Sequence, residues 1–329
     1  MEEYSIYQLT PADFDILIPL MKDCFGMNVN IDYFRWKFLQ NPSGGVIGFY
    51  ALSAGGECAA YYGVIAETYT VKNVRRTIYQ SCDTMTHSGH RRKGLFQKLA
   101  TTCYAHLQSM DALFVIGFGG GQSTPGFLKF GWEHLFDVYF HFKPKAICYL
   151  QLLLNKLTLP FANTAVKLVC LGTPDEIIEL IKKNTAPTAV SLERSTAFIK
   201  WRLSNPVRTY RIIAAFEEGK YAGYCIYYVE SDKVMLLDAY CPKSSHTKAL
   251  FNELNSIVIK NGLAGIVTFA QLKTLFSGLL LSRGFFINRL KYGPLHEHLP
   301  FIFYSGSPEL AAYRNAANWS VTPLDHDAF

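Results

Sequence analysis

The densest group of chemically capable side chains is Asp83-Thr84-Met85-Thr86-His87-Ser88-Gly89-His90-Arg91-Arg92-Lys93-Gly94-Leu95-Phe96. It holds a carboxylate, two imidazoles and three consecutive bases ahead of a glycine. A strand-like run from Ile78 to Met85 leads into a basic turn. After the turn, Leu95, Leu99, Cys103 and Leu107 recur at the spacing of one helix face. A helix that begins after such a turn presents unpaired N–H groups and the positive end of its dipole. Phosphate is the natural guest there. Arg91, Arg92 and Lys93 add charge where a pyrophosphate would sit, and Gly94 lets the backbone approach closely. The competing reading of the three bases is a solvated surface loop.

Transfer of a group to an amine or hydroxyl needs a base to take the proton, directly or through water. Asp83 and His87 are the local candidates. A carboxylate that interrupts an apolar strand is either paired or functional. His87 and His90 alternatively decorate the loop. A second group of candidates closes the chain. There, Trp319 with Asp325 and Asp327 reads as a pocket wall for a polar or cationic acceptor. A frayed acidic tail is the plain alternative.

The elements that must position these residues come in two copies. Phe34-Arg35-Trp36-Lys37-Phe38-Leu39-Gln40-Asn41-Pro42 is echoed by Phe198-Ile199-Lys200-Trp201-Arg202-Leu203-Ser204-Asn205-Pro206. Two strand-like runs follow in each half, Gly48 to Leu52 with Ala59 to Ile65 and Tyr210 to Phe216 with Tyr221 to Val229. Asp83 precedes Gly94-Leu95-Phe96 by the same interval as Asp238 precedes Ala249-Leu250-Phe251. Each half then has a helical segment, an apolar strand and a closing Gly131-Trp132 or Gly284-Phe285. Five shared features in one order mark a duplication. The expected units are residues 1–142 and 166–329, with 143–165 as a linker. The recurrence of Asp238 also supports a structural role common to both acids. Trp36 and Trp201, each with its Asn-Pro, read as packing and turn residues.

In the first half the patterns give helices over Pro11 to Phe25 and Asp32 to Leu39, followed by three antiparallel strands. A helix over Leu95 to Gln108, a strand over Ala112 to Phe118, a short helix over Thr124 to Lys129 and a final strand over Glu133 to Phe142 complete it. Thr10 before Pro11 is a good N-cap. The fold class is mixed α/β.

Composition narrows the function classes. The 329 residues are 50% hydrophobic and 18% charged, enough to bury substantial cores. The net charge of +6 suits an anionic ligand, but there is no basic stripe for nucleic acid. Met1 to Thr10 carry two acids and no base, unlike a secretory signal. The apolar run Ile147 to Leu154 is too short for membrane insertion. A soluble cytoplasmic protein is the expectation. Cysteines at 24, 58, 82, 103, 148, 170, 225 and 241 form no Cys-x-x-Cys pair, so no metal site is expected and they read as small buried hydrophobes.

Arg91-Arg92-Lys93-Gly94-Leu95 resembles the Arg/Gln-x-x-Gly-x-Gly/Ala pyrophosphate loop of the GNAT superfamily of N-acetyltransferases. The resemblance implies tandem GNAT-like domains, each a mixed, mostly antiparallel sheet flanked by helices. It implies acetyl-CoA bound by Arg91, Arg92, Lys93, Gly94, Leu95 and Phe96, with Met85, Thr86 and His87 meeting the pantetheine arm through their backbone. Ser123 and Phe127-Leu128-Lys129-Phe130-Gly131-Trp132 stand where that family has a Ser or Asn and a Tyr-x-x-x-Gly-Phe segment. Two positions depart from the pattern. Phe96 replaces a small residue, and Phe127 replaces the tyrosine that protonates the departing thiolate. The second half has Pro242-Lys243-Ser244-Ser245-His246-Thr247-Lys248-Ala249 instead of the loop, so it reads as a degenerate copy that helps shape the acceptor pocket. The implied activity is acetyl or short acyl transfer to a small amine, and the resemblance to multi-domain members that insert their terminal carboxylate into the active site implies Phe329 as a candidate base. The closing Asn-Trp and Asp-x-Asp resemble tandem GNAT proteins of surface-polysaccharide synthesis, which implies an amino sugar or nucleotide-linked sugar as acceptor. The alternatives are a non-catalytic CoA-binding scaffold and a tandem-GNAT peptidyltransferase that uses aminoacyl-tRNA.

Overall fold

The computed structural model describes residues 3–327, apart from 111, 113, 121–122, 159–164, 170–174, 185–187, 189, 290–294, 296–297 and 306–312. The first lobe runs β1 (Tyr4–Gln8), α1 (Leu17–Phe25), α2 (Ile31–Phe34), β2 (Val46–Ser53), β3 (Cys58–Val71) and β4 (Val74–Thr86). It continues with α3 (Leu95–Ser109), β5 (Val115–Phe118), α4 (Thr124–Lys129) and β6 (Glu133–Pro144). Next come α5 (Lys145–Thr158), β7 (Ala165–Val169), α6 (Asp175–Lys183), β8 (Val190–Leu192) and α7 (Thr196–Leu203). The second lobe closes with β9 (Arg211–Glu217), β10 (Lys220–Glu230), β11 (Lys233–Tyr240), α8 (Ser244–Lys260), β12 (Gly265–Gln271), α9 (Leu275–Ser282) and β13 (His298–Tyr304). No helix among the described residues is long and apolar enough to cross a membrane.

The expected elements form with local adjustments. Pro11–Ile16 is a 3-10 turn ahead of α1 rather than part of one long helix. α2 runs into a π-helical turn over Arg35–Leu39, which turns Trp36, Lys37 and Phe38 all inward. The face of α3 reads as its spacing requires, with Leu95, Leu99, Cys103 and Leu107 all buried against β2 and β3. Residues 145–158, within the expected linker, form a helix that packs on α8.

The chief difference lies in sheet order. All strands belong to one sheet, β1-β2-β3-β4-β5-β13-β6-β12-β11-β10-β9-β7, with β8 added against β3. β6 does not complete the first lobe. β13 pairs with β5 instead, and β6 pairs with β12, so each lobe's last strand completes the other lobe. β6 and β13 run antiparallel to each other, which joins the two halves into one continuous sheet. A strand's partner depends on distant edges that no local pattern specifies, so alternation alone reads only that a strand exists.

The repeated tryptophans form the seam between lobes. Trp36 and Trp201 stack at 5.2 Å between ring centroids. Each indole N–H donates to the other's carbonyl oxygen, both at 2.8 Å. Asn41 and Asn205 cap matching turns, accepting from Ser43 N–H and Val207 N–H at 3.0 Å. The core they share runs from Phe14 through Tyr61 and Ile116 to Ile226, Phe269 and Trp319.

Candidate active site

β4 enters the site with a bulge. Its register against β3 shifts between Tyr61 and Gly63, and Asp83 sits there at φ +49°. On its other edge β4 pairs with β5 only at Tyr79↔Val115 and Gln80↔Ile116. Beyond those pairs the strands part. The wedge between them holds a cavity of about 340 Å³, lined in part by Cys82, Asp83, Gly117, Phe118, His326 and Asp327.

Past β4 the chain makes the basic turn. His87 caps a 3-10 turn over Ser88–His90, Arg92 lies at φ +65° and Gly94 at φ +77°, and α3 follows. The left-handed conformation at 94 explains the glycine there. Lys98 N–H is bonded to the Gly94 carbonyl, so the N–H groups of Leu95, Phe96 and Gln97 precede the first helical bond. All three residues line a cleft of about 670 Å³, as do Thr86, Arg91, Arg92, Lys93 and Gly94. The donor set fits a pyrophosphate: exposed bases, unspent helix N–H groups and the dipole of a four-turn helix converge on one concavity. Thr84, Gly120 and Ser123 line both cleft and wedge, so the two are continuous.

Other expected residues lie elsewhere. The Met85 side chain is buried in the core, which leaves only its backbone for a ligand. His87 lines neither cavity; its Nε2 is 3.4 Å from Glu57 Oε1 and 3.8 Å from Asp23 Oδ1. The structure therefore does not bring His87 to Asp83. Asp23 instead holds the turn to α1, accepting from Ser88 N–H at 2.8 Å and Ser88 O–H at 2.9 Å.

The tail through Asp327 is buried rather than frayed. Trp319 is 2% exposed, packs on Phe114 and Phe301, and donates its N–H to the Tyr313 carbonyl at 2.7 Å. It is a core residue, not a pocket wall. Asp325 accepts from Thr322 N–H at 2.6 Å and faces Arg194 at 3.8 Å, away from the wedge. Asp327 alone of these three reaches the wedge. Gln80 holds it there: its amide donates to the Asp325 carbonyl at 2.9 Å, and its oxygen accepts from Asp327 N–H at 3.0 Å. Phe329 lies outside the described residues.

Behind the two acids of the wedge is a residue that sequence reasoning passed over. Lys37 is fully buried, and its ammonium donates to Asp83 Oδ2 at 2.7 Å and Asp327 Oδ2 at 2.9 Å. The signal was present as the basic residue after each repeated Trp, but it reads equally as a helix-packing position. The two carboxylates are pushed apart. Burial raises the Asp83 pKa above its ordinary value, helped by Asp327 and only partly opposed by Lys37. Burial acts the same way on Asp327, but Lys37 and then His326 outweigh it and hold Asp327 below the ordinary range. Burial pulls His326 down to about 4, so its imidazole is neutral near pH 7. Asp83 and Asp327 thus share one lysine, and the Arg208 guanidinium also lines the wedge.

Phe127 is buried among Tyr62, Phe96 and Trp132, with ring centroids 6.3, 5.0 and 4.7 Å away. Phe96 also packs on Phe130 at 5.2 Å, so the large side chain at the helix start ties α3 to α4. Ser123 begins α4 at the junction of cleft and wedge, where its Oγ accepts from Gly120 N–H at 3.2 Å.

Residues 5–135 match the acetyltransferase (GNAT) domain family. That segment, the first lobe, carries a GNAT domain. The chain is similar in fold to a probable N-acyltransferase of Enterococcus faecalis V583, at 13% identity and TM-score 0.68 over 92% of this chain and 72% of that one. A GCN5-related N-acetyltransferase from Anabaena variabilis ATCC 29413 aligns at 12% identity and TM-score 0.65, over 92% and 72% of the two chains. A tandem GNAT protein from the clavulanic acid biosynthesis pathway aligns at 12% identity and TM-score 0.64, over 93% of this chain and 99% of that one. No curated protein sequence matches the chain.

Proposed function

We propose that this protein is an acyl-CoA-dependent N-acyltransferase, with acetyl-CoA as donor, that acylates a small amine by direct attack. The observation that carries the reading is the continuity of the Arg91–Phe96 cleft with the Asp83–Lys37–Asp327 wedge. The turn would hold the pyrophosphate, and the open edge of β4 beyond Gln80 offers main-chain partners to the pantetheine arm. When bound, acetyl-CoA supplies an activated acyl carbon and a thiolate leaving group of ordinary pKa about 8.5, which can depart without a tyrosine at 127. Asp83, the more basic acid of the pair, takes the proton that the ammonium acceptor must lose. Asp327 stays ionised and draws the cation into the wedge, while Lys37 holds both acids at fixed spacing. Ser123 stands at the junction where the leaving thiolate would emerge.

An amino sugar, free or nucleotide-linked, is the acceptor class we favour. The wedge of about 340 Å³ suits a ring-sized amine beside the Asp83–Asp327 pair. The same fold occurs in a fungal glucosamine N-acetyltransferase region, at 10% identity and TM-score 0.58. The unit boundaries proposed for this chain are 1–142 and 166–329, with the cytoplasm as its compartment.

The test is calorimetric titration of acetyl-CoA into the wild type, Gly94→Glu and Ser245→Glu. One site per chain, weakened at least a hundredfold in Gly94→Glu and unaltered in the second-lobe variant Ser245→Glu, is expected. Amino sugars are then screened by CoA release. Absence of binding in the wild type removes the enzyme reading, and binding without turnover on any amine favours the non-catalytic scaffold.

A further inference from the structure

The second lobe contains a polar cavity with no part in the reaction proposed above. It lies where α5 crosses α8 and the end of α9, and has a volume of about 200 Å³. Gln151, Asn155, Lys248, Asn252, Ser282 and Arg283 line it, and none of its described lining residues is an acid. Behind it, Lys143 at the end of β6 is fully buried and donates from Nζ to Gln151 Oε1 at 2.7 Å. Among the described residues, no ion pair includes Lys143, Lys248 or Arg283. The Arg283 Nε–H is buried with no hydrogen-bond partner. Burial depresses the Lys143 ammonium to about 8, and the neighbouring Arg283 charge adds to the effect.

The cavity is held open by a built frame. Both ends of the Gln151 amide brace the frame: Oε1 also accepts from Asn255 at 3.2 Å, and Nε2 donates to the Arg283 carbonyl at 3.1 Å. Gly284 makes that approach possible, because a Cβ there would lie 2.6 Å from Gln151 Nε2 and its φ is +83°. Asn155 donates to Asn252 Oδ1 at 2.7 Å, so what Asn252 can add to a guest is its N–H donors. Lys248 and Arg283 bring positive charge to the cavity wall with no ion-pair partner among the described residues, and an anion bound there would supply one. A planar guanidinium with a free N–H is suited to a tetrahedral oxyanion.

We propose that this cavity binds a phosphoryl group, either inorganic phosphate or the head of a small phosphomonoester whose remainder projects from the mouth. Its volume is below the usual range for enclosing a whole nucleotide, about 300 Å³ and above.

The test is a titration of inorganic phosphate, and separately of glycerol phosphate, into the full chain at low ionic strength, followed by phosphorus relaxation and calorimetry. Phosphate also suits the Arg91–Phe96 turn, so the same titrations are run on Gly94→Glu. A saturable site that survives in Gly94→Glu and weakens at least tenfold in Arg283→Gln and Lys248→Glu is expected. Lys248 is exposed on α8, so that variant keeps the test valid if Arg283→Gln misfolds. Tighter binding of the ester identifies an ester ligand and tighter binding of phosphate identifies the free ion; both support the proposal. Three outcomes overturn it: binding lost in Gly94→Glu but intact in both second-lobe variants, no saturable binding, or succinate bound more tightly than either phosphate.

Discussion

Asp83 and Asp238 hold the same place in the repeat, but their surroundings differ. Asp83 lines an open wedge and has one cation, Lys37, which it shares with Asp327. Asp238 is fully buried and saturated, taking bonds from Tyr224 at 2.7 Å, Asn184 at 3.0 Å and Arg194 at 3.1 Å. The turns that follow differ in the same sense. Gly94 takes the left-handed conformation that frees the start of α3, whereas Lys243 in an extended conformation leads into α8 with no glycine. The duplicated frame therefore makes two sites for a strand-end carboxylate. Only the neighbours decide whether that carboxylate is free to exchange a proton or is locked into structure.

The largest expected effect separates the two acids. Asp83→Asn should lower kcat with the best amine by about 10²- to 10⁴-fold while costing less stability than Asp238→Asn, because Lys37 keeps Asp327 at 2.9 Å. Asp238→Asn should leave kcat of the folded protein alone and cost about 3 kcal/mol or more in denaturant unfolding, because Arg194 loses its main partner in the interior. A shared loss of stability without the kinetic split would assign both acids to structure.

A next effect concerns the tail that the second lobe sends to the first. His326 is depressed from 6.5 to about 4 by burial, so the unfolded chain binds its proton first. Stability should therefore fall by up to about 3 kcal/mol as pH drops from 6.5 towards 4. Asp327, held low in the fold, adds to the loss at still lower pH. Urea unfolding across this range should show the slope in the wild type and a shallower one in His326→Asn. The acid limb of kcat/KM should lie above the ordinary carboxylate range, because the folded Asp83 is raised.

The smallest effect tests the seam. Trp36→Phe and Trp201→Phe should each cost about 1 kcal/mol for one lost hydrogen bond, with coupling between them in a double-mutant cycle. Markedly unequal losses would mean that the reciprocal geometry hides an asymmetric interface.

Much of the site was legible because it is local. The turn from His87 to Phe96, its glycine and the buried face of α3 all follow from residues a few positions apart. Asp83 was legible as an anomaly in a strand, but its role was not, since Asp238 makes the same pattern. Trp319 and Asp325 misled because aromatic and acidic residues near a chain end suit a pocket as well as a core. Only tertiary contacts place one against Tyr313 and the other against Arg194.

By itself the sequence determined the duplication, most helices and strands between Pro11 and Phe142, and the glycine-containing basic turn, because periodicity and turn chemistry act over a few residues. Only the tertiary structure decided the exchange of β6 and β13, the burial of the tail and the meeting of Lys37 with Asp327 across 290 positions. Such pairings depend on which distant edges and charges are left unsatisfied once each lobe has formed. No stretch of sequence records that by its own spacing.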